Sequence, residues 1–267
     1  MNFNSMLKVN LEKYCDETGI SHHGMNRHEL IQEIYKHELD VINNSIKTGT
    51  SSTLLRERIR ALAKIYANNL NDKITTRKKE MQKDDNSHYL IYQLLGVSGE
   101  EGTLIDEYQN TGRFLYKYTG SFLEEAASMC LFFHNRQGGK SKVENTFGRK
   151  PKTFEIDFLN GNEAIELKWR DATTDGDHIV KEHTRVEVIK SHGYKPVRVM
   201  FYDPQRNQAK KIQQKLKHLY KSHNGEYHAG NEAWDYVRDI TGYNFYNIIE
   251  ELSFGAWGNK SMLNNIK

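Results

Sequence analysis

The sequence has little proline, few cysteines and no long apolar stretch, and each shortage excludes a class of protein. Three prolines among 267 residues, with 37% apolar and 27% charged residues, are typical of an ordered globular protein rather than a low-complexity chain. No apolar run approaches the length that spans a bilayer, and the first residues lack the apolar core of a signal peptide. We therefore expect a cytoplasmic protein with no membrane partner.

The two cysteines, Cys15 and Cys130, lie in stretches with a helical pattern. They predict buried thiols in a reducing compartment rather than a disulfide framework. The net charge of +3 is too small to prove a nucleic-acid partner, so the distribution of charge along the chain carries more information.

Residues 1–95 predict a helical N-terminal region, because apolar side chains recur there at helical spacing. Asn26 precedes one of these stretches and predicts its N-cap. Residues 96–267 form the second predicted unit. In it a helix near residues 177–192, a stop at Gly193 and a strand at 197–202 follow a hairpin, which predicts a mixed sheet covered by helices.

The hairpin is predicted at residues 154–169. Apolar and polar side chains alternate on both sides of Asn160-Gly161, which is strand periodicity in both arms. Asn-Gly is the strongest short hairpin signal in a sequence. The loop is expected to contain an even number of residues, either Asn160-Gly161 alone or residues 159–162.

The register of this hairpin decides which side chains meet. An even loop pairs Phe158 with Glu163 and Asp157 with Ala164, and directly paired residues point to the same side of a sheet. Ala164 would then leave space open opposite Asp157. One face is predicted to carry Asp157, Ala164, Glu166 and Lys168. The other face is predicted to carry Ile156, Ile165, Leu167 and Trp169.

The polar face has the groups needed for metal-assisted hydrolysis. Asp157 and Glu166 are diagonal neighbours in this register, roughly 7–8 Å apart at the backbone, so their carboxylates can reach one ion. Two like charges held together favour a bound cation, and carboxylate oxygens are ligands that Mg²⁺ prefers. Lys168 can neutralise charge that develops on a phosphorus centre. The pattern therefore predicts hydrolysis of a phosphodiester.

Asp157, eight intervening residues and Glu166-Leu167-Lys168 resemble the PD-(D/E)XK nuclease signature, with Ile156 where the motif has proline. The layout of residues 104–125 is similar to that of ApaLI-like restriction enzymes. This resemblance implies an α/β fold with a restriction-endonuclease-like mixed β-sheet flanked by helices and a large helical N-terminal elaboration. It also implies Mg²⁺ as cofactor, double-stranded DNA as substrate and a homodimer.

The resemblance further implies roles for individual residues. Asp157 and Glu166 hold Mg²⁺, and the backbone carbonyl of Leu167 adds a ligand. Lys168 orients or activates the attacking water. PD-(D/E)XK restriction enzymes frequently have an upstream helix with a glutamate facing the metal site, which implies that Glu124 supports a second ion.

That upstream helix is predicted to begin after Gly120-Ser121, because apolar residues recur at helical spacing from Phe122 onward. Glu124 and Glu125 would then lie in its first turn, where glutamates are often only partners of the helix dipole. Of the two, we favour Glu124 as the residue that faces the site.

Basic residues are concentrated at positions 134–152, in a glycine-rich segment expected to be flexible and to contact phosphates. Its Gly-Gly-Lys-Ser sequence does not match a P-loop, because His134 occupies the first glycine position, so no nucleotide cofactor is expected. Polar residues after the hairpin could reach base edges. The predicted DNA contacts are Arg136, Lys140, Lys142, Arg149, Arg170, Asp171, His178 and Lys181.

The preferred function is a Mg²⁺-dependent type II restriction endonuclease that makes site-specific double-strand cuts. Two alternatives stay open: a repair or junction-resolving nuclease of the same fold, and a DNA-binding protein without catalytic activity. The residues do not reveal a recognition sequence.

Overall fold

The computed structural model describes residue 3 and residues 6–148, 150–170 and 176–256, with the backbone alone at 176–178 and 255–256. Its helices are α1 Lys8–Thr18, α2 Arg27–Lys47, α3 Ser51–Met81, α4 Tyr89–Leu94, α5 Gly99–His134, α6 Gly176–Ser191, α7 Asn207–Ser222, α8 Asn231–Thr241 and α9 Phe245–Ala256. Its strands are β1 Gly139–Glu144, β2 Thr153–Asn160, β3 Glu163–Arg170, β4 Lys195–Tyr202 and β5 Glu226–Ala229. This confirms the predicted α/β class.

The five strands form one mixed sheet in the order β1-β2-β3-β4-β5. β1, β2 and β3 pair antiparallel, whereas β3, β4 and β5 pair parallel. The helix α6 makes the crossover between β3 and β4, as parallel neighbours require. The hairpin of β2 and β3 therefore lies at the change from antiparallel to parallel pairing.

The described N-terminal region is helical, as predicted. Asn26 caps α2: its side chain accepts hydrogen bonds from the backbone of His28 at 2.9 Å and of Glu29 at 3.1 Å. The Glu29 carboxylate in turn accepts from the Asn26 backbone N–H at 2.7 Å. This reciprocal capping box satisfies N–H groups that have no partner inside the helix.

The predicted start of a helix at Gly120-Ser121 is wrong. The helix α5 begins at Gly99, where Ser98 and Glu101 form a capping box, and it continues without a break to His134. Glu124 therefore lies in the interior of α5 and not in a first turn. An interior glycine costs a helix only about 1 kcal/mol, which the packing of the following residues offsets.

The segment 134–152 is not wholly a loop, because residues 139–144 form the edge strand β1. The four-residue strand β5 was also not predicted. Both strands are short and lie at the edges of the sheet, so their local patterns are weak.

Apolar side chains cover the sheet on both faces. On one face the core is continuous from α1, α2 and α3 through α5 to β3, β4 and α8, so the predicted N-terminal region shares a core with the sheet. On the other face α6 and α7 cover the strands. Cys15 and Cys130 are both buried and free, as predicted. None of the helices in the described ranges is long and apolar enough to cross a membrane.

Candidate active site

The hairpin is present, but its register differs from the prediction. The turn is Gly161-Asn162, with Gly161 at a φ of 60°, where glycine is favoured. The predicted pairs Phe158–Glu163 and Asp157–Ala164 are wrong, since the observed pairs are Phe158–Ile165, Leu159–Ala164 and Asn160–Glu163. The error is two residues, and because side chains alternate with period two, an even shift leaves each residue of β3 on its predicted face.

One member of the predicted faces, Ile156, is corrected. The pairing of β1 with β2 shifts register between Gly139 and Ser141, and such an irregularity turns part of a strand over. Ile156 therefore packs with Ala164 beneath α6 instead of with Ile165 and Leu167. Ala164 pairs with Leu159 instead of Asp157 and is 1% exposed within that cluster, so the open space predicted at Ala164 is wrong.

Four charged side chains meet where β2, β3 and α5 come together, and we name them the acid–lysine cluster: Glu124, Asp157, Glu166 and Lys168. The Lys168 Nζ lies 2.8 Å from Glu166 Oε1, 3.6 Å from Asp157 Oδ2 and 3.8 Å from Glu124 Oε1. Residues 157, 166 and 168 thus point to a common centre, and α5 adds a third carboxylate from the helix that packs on β3.

The backbone holds Asp157 in place. The Leu167 N–H donates a hydrogen bond to Asp157 Oδ2 at 2.9 Å. The Leu167 side chain is fully buried in the core that includes α5, which fixes the position of this N–H. The role of the Leu167 carbonyl as a metal ligand stays a prediction.

The electrostatics of the cluster follow from burial and from these short distances. Burial, followed by the neighbouring Glu166 carboxylate, raises the pKa of Asp157 to about 7. Burial alone would raise the pKa of Glu166, but Lys168 and Arg185 outweigh it and lower that pKa to about 2. Burial opposes the charge on Lys168, yet the Glu166, Asp157 and Glu124 carboxylates raise its pKa, so the ammonium form is retained.

A second set of charges supports Glu166 from α6, and the sequence did not reveal it. The Arg185 Nη1 donates to Glu166 Oε2 at 2.8 Å, and its Nε lies 3.5 Å from Glu182 Oε2. Glu182 accepts in turn from Arg198 at 2.9 Å and from the Tyr220 hydroxyl at 2.5 Å. The only local signal for this buried ion network is the three-residue spacing of Glu182 and Arg185, which places both on one side of α6.

A cavity of about 140 Å³ opens beside the cluster and is lined by Tyr66, Ser121, Glu124, Glu125, Ser128, Lys140 and Asp157. Within it the two neighbouring glutamates of α5 differ. Glu124 approaches Lys168, whereas Glu125 Oε2 accepts a hydrogen bond from the Tyr66 hydroxyl at 3.4 Å.

The residues of the cluster fit a divalent cation. Among the described residues no three His, Cys, Asp or Glu side chains form a ready-made metal cluster. However, the Lys168 ammonium lies between three carboxylates, which shows that this space favours positive charge. Carboxylate oxygens beside a polar cavity are the donor type that Mg²⁺ requires.

Only some of the predicted DNA contacts lie next to the acid–lysine cluster. Lys140 lines the cavity and pairs with Glu155. Arg170, at the end of β3, lies over the rings of Tyr116 and Trp169, 5.4 and 5.5 Å from their centroids. Arg136 donates to the Phe133 carbonyl at the end of α5, and Lys142 and Lys181 are exposed. Arg149, Asp171 and the His178 side chain are outside the described residues.

The site combines two carboxylates and a lysine on one hairpin of a mixed sheet with a glutamate from a helix. This combination is compatible with a nuclease of the restriction-enzyme class. The family model for ApaLI-like restriction endonucleases matches residues 30–253. The chain therefore belongs to the ApaLI-like restriction endonuclease family, which supports a type II restriction enzyme. Comparisons with curated proteins and with solved structures gave no match.

Proposed function

We propose that the protein is a Mg²⁺-dependent type II restriction endonuclease that makes site-specific double-strand cuts in DNA by phosphodiester hydrolysis. The observation that carries this proposal is the Lys168 ammonium, held within 2.8–3.8 Å of carboxylates from β2, β3 and α5. Membership in the restriction endonuclease family supports the same reaction. The arrangement supports a site of the PD-(D/E)XK type.

Asp157 and Glu166 would hold Mg²⁺, with the Leu167 carbonyl as a further ligand, and Glu124 would support a second ion. When bound, the ion supplies Lewis-acid stabilisation of the charge that develops on the phosphoryl oxygens. The Leu167 N–H keeps the Asp157 carboxylate aimed at this position. Arg185 does the same for Glu166 from the other helix layer.

The Glu166, Asp157 and Glu124 carboxylates outweigh burial and raise the pKa of Lys168, so its ammonium group is held beside the proposed metal ligands. From this position Lys168 would orient or activate the attacking water. The ammonium group also donates to the phosphate oxygens as negative charge builds on them. In-line attack then leaves a 5′ phosphate, as the resemblance to PD-(D/E)XK nucleases implies.

Basic side chains next to the cluster bind the DNA backbone. Lys140 lines the cavity that contains Asp157, and Arg170 leaves β3 two residues after Lys168 with its guanidinium against two aromatic rings. Phosphate contacts of this kind supply much of the affinity and set the position of the duplex. Further contacts are proposed at Arg136, Lys142, Arg149, Asp171, His178 and Lys181.

The proposed enzyme is a homodimer. The described residues of one chain contain one acid–lysine cluster, whereas a double-strand cut breaks one phosphodiester in each strand. Two chains related by a two-fold axis place one cluster on each strand of a symmetric DNA site.

Incubation of phage and plasmid DNA with the purified protein tests this function. Discrete fragments in Mg²⁺, and intact DNA in EDTA, are the expected results. Nicking that requires branched substrates would instead indicate a junction-resolving nuclease. Binding of DNA with no cleavage under any divalent metal would contradict the proposal and leave a DNA-binding protein.

A further inference from the structure

We infer that two copies of this chain pair through a helical arm, defined as residues 89–95, which contain α4, together with residues 99–116 of α5. This inference rests on the homodimer proposed above and names the surface that forms it. More than half of the large apolar side chains that are exposed among the described residues lie on this arm. Examples that are 46–81% exposed are Leu90, Leu94, Leu95, Leu104, Ile105 and Tyr108.

The arm contacts β3 at the end of the apolar strip, where the Tyr116 ring lies 5.5 Å from the Trp169 ring, and it contacts α3 and α4 on other sides of α5. Against α4, Gly102 lies so close to the Tyr92 ring that an added Cβ would be 2.9 Å from it. Against α3, Glu107 lies 3.6 Å from Lys78 Nζ and Asn110 accepts from Arg77 at 3.1 Å.

Leu104, Tyr108 and Leu115 are spaced by four and seven residues, so they share one side of the α5 helix. All three are exposed, and this side is different from those that α3 and α4 contact. Ile105 and Tyr116 widen the same strip and are also about half exposed. Within the described part of the chain, this apolar strip is the surface that we expect a binding partner to cover.

The area of the arm is that of a stable dimer interface. Nine large apolar side chains of the arm are exposed. At roughly 100 Å² each they offer on the order of 900 Å² per chain, against the ~800 Å² per partner of a standard interface. A monomer rarely leaves a patch larger than a few hundred Å² in water.

A second copy of this chain is the partner that we assign to the arm. The exposed apolar area is that of one side of a standard dimer interface, and a two-fold interface uses the same patch on both chains.

Sedimentation velocity over the micromolar range tests the surface. The double variant Leu104→Glu/Tyr108→Glu is expected to sediment as a monomer, because two buried carboxylates oppose the interface, while its circular dichroism stays unchanged. The matched control is Phe254→Glu, at an 80% exposed position on α9, which should remain a dimer like the wild type. A dimeric arm variant would overturn the inference. A wild type that is monomeric with and without DNA would also overturn it and leave the arm to a different partner.

Cleavage assays on the same proteins separate this inference from the proposed function. The variant Lys168→Ala should remain a dimer although it does not cut, because Lys168 lies outside the arm. A wild type that dimerises through the arm but never cuts DNA would refute the function alone. A wild type that cuts, beside an arm variant that still dimerises, would refute the arm alone.

Discussion

The two halves of α5 differ in solvent exposure, although they belong to one uninterrupted helix. Before Phe122, Gly102 is the one buried residue of α5, and several large apolar side chains are exposed. From Leu123 to Phe133 nearly every residue is buried against the sheet and the N-terminal helices. One half therefore presents a surface, and the other half fills the core.

The boundary between the halves falls at the acid–lysine cluster. Leu123 is the first buried residue of the second half, and Glu124 follows it directly, 3.8 Å from Lys168. Burial of the second half fixes the position of Glu124 relative to β3. The first half extends the same rigid helix away from the cluster, so one element links the proposed site with the proposed dimer surface.

Truncation of one leucine in each half should give the largest difference. Leu131→Ala removes a side chain that is 1% exposed and should destabilise the fold by about 2–5 kcal/mol. Leu115→Ala changes a side chain that is 46% exposed and should shift stability by less than about 0.5 kcal/mol. Urea unfolding at low protein concentration, where monomers are studied, measures both. Equal losses of stability in the two variants would contradict the assignment of one half to the core and the other half to the surface.

The adjacent glutamates at the boundary provide the next test. Glu124→Gln should slow cleavage about 100-fold, because it removes a charge from a site built to stabilise charge. Glu125→Gln should slow it only a few-fold, since Glu125 accepts from Tyr66 instead of approaching Lys168. Single-turnover cleavage in Mg²⁺ distinguishes them. A larger effect at Glu125 would reverse the assignment.

The buried ion network around Arg185, on the face of the sheet that α6 covers, should have a slightly smaller effect on cleavage than Glu124. Arg185→Met leaves the buried Glu166 without its partner on α6, and outer residues of this kind typically contribute about 10–100-fold to metal affinity or activity. The Mg²⁺ concentration needed for half-maximal cleavage should rise, and Arg185→Lys should recover part of the loss. An unchanged Mg²⁺ requirement in Arg185→Met would show that Arg185 does not position Glu166.

The smallest effect is expected at the exposed start of α5. Ser98→Ala removes the acceptor for the Glu101 N–H and should cost about 1 kcal/mol. The loss should be local, so hydrogen exchange should accelerate at residues 99–102 and not in the buried half. Acceleration along the whole helix would mean that the two halves unfold together.

The sequence predicted the hairpin, the crossover helix and the helical N-terminal region, because each has a strong local signal. Alternation and Asn-Gly identified the hairpin, and the even spacing kept Glu166 and Lys168 on one face despite the wrong register. The register itself depends on which two residues form the turn, and Asn160-Gly161 and Gly161-Asn162 are both compatible with the local pattern.

Other features depend on contacts between distant segments. The start of α5 was misplaced because Gly120-Ser121 resembles a helix boundary, although Ser98 and Glu101 have the spacing of a capping box. Ile156 changed face because β1 shifts register against β2, which the pattern of β2 alone does not show. The buried ion network joins α6, β4 and α7, so its partners become neighbours only in the folded chain.

The most direct test of the acid–lysine cluster compares cleavage with binding in the same variants. Asp157→Ala and Lys168→Ala should abolish DNA cutting in Mg²⁺, while their affinity for DNA in Ca²⁺ stays close to that of the wild type. This result would separate chemistry from binding at the cluster. Full cleavage activity in both variants would contradict the proposed site.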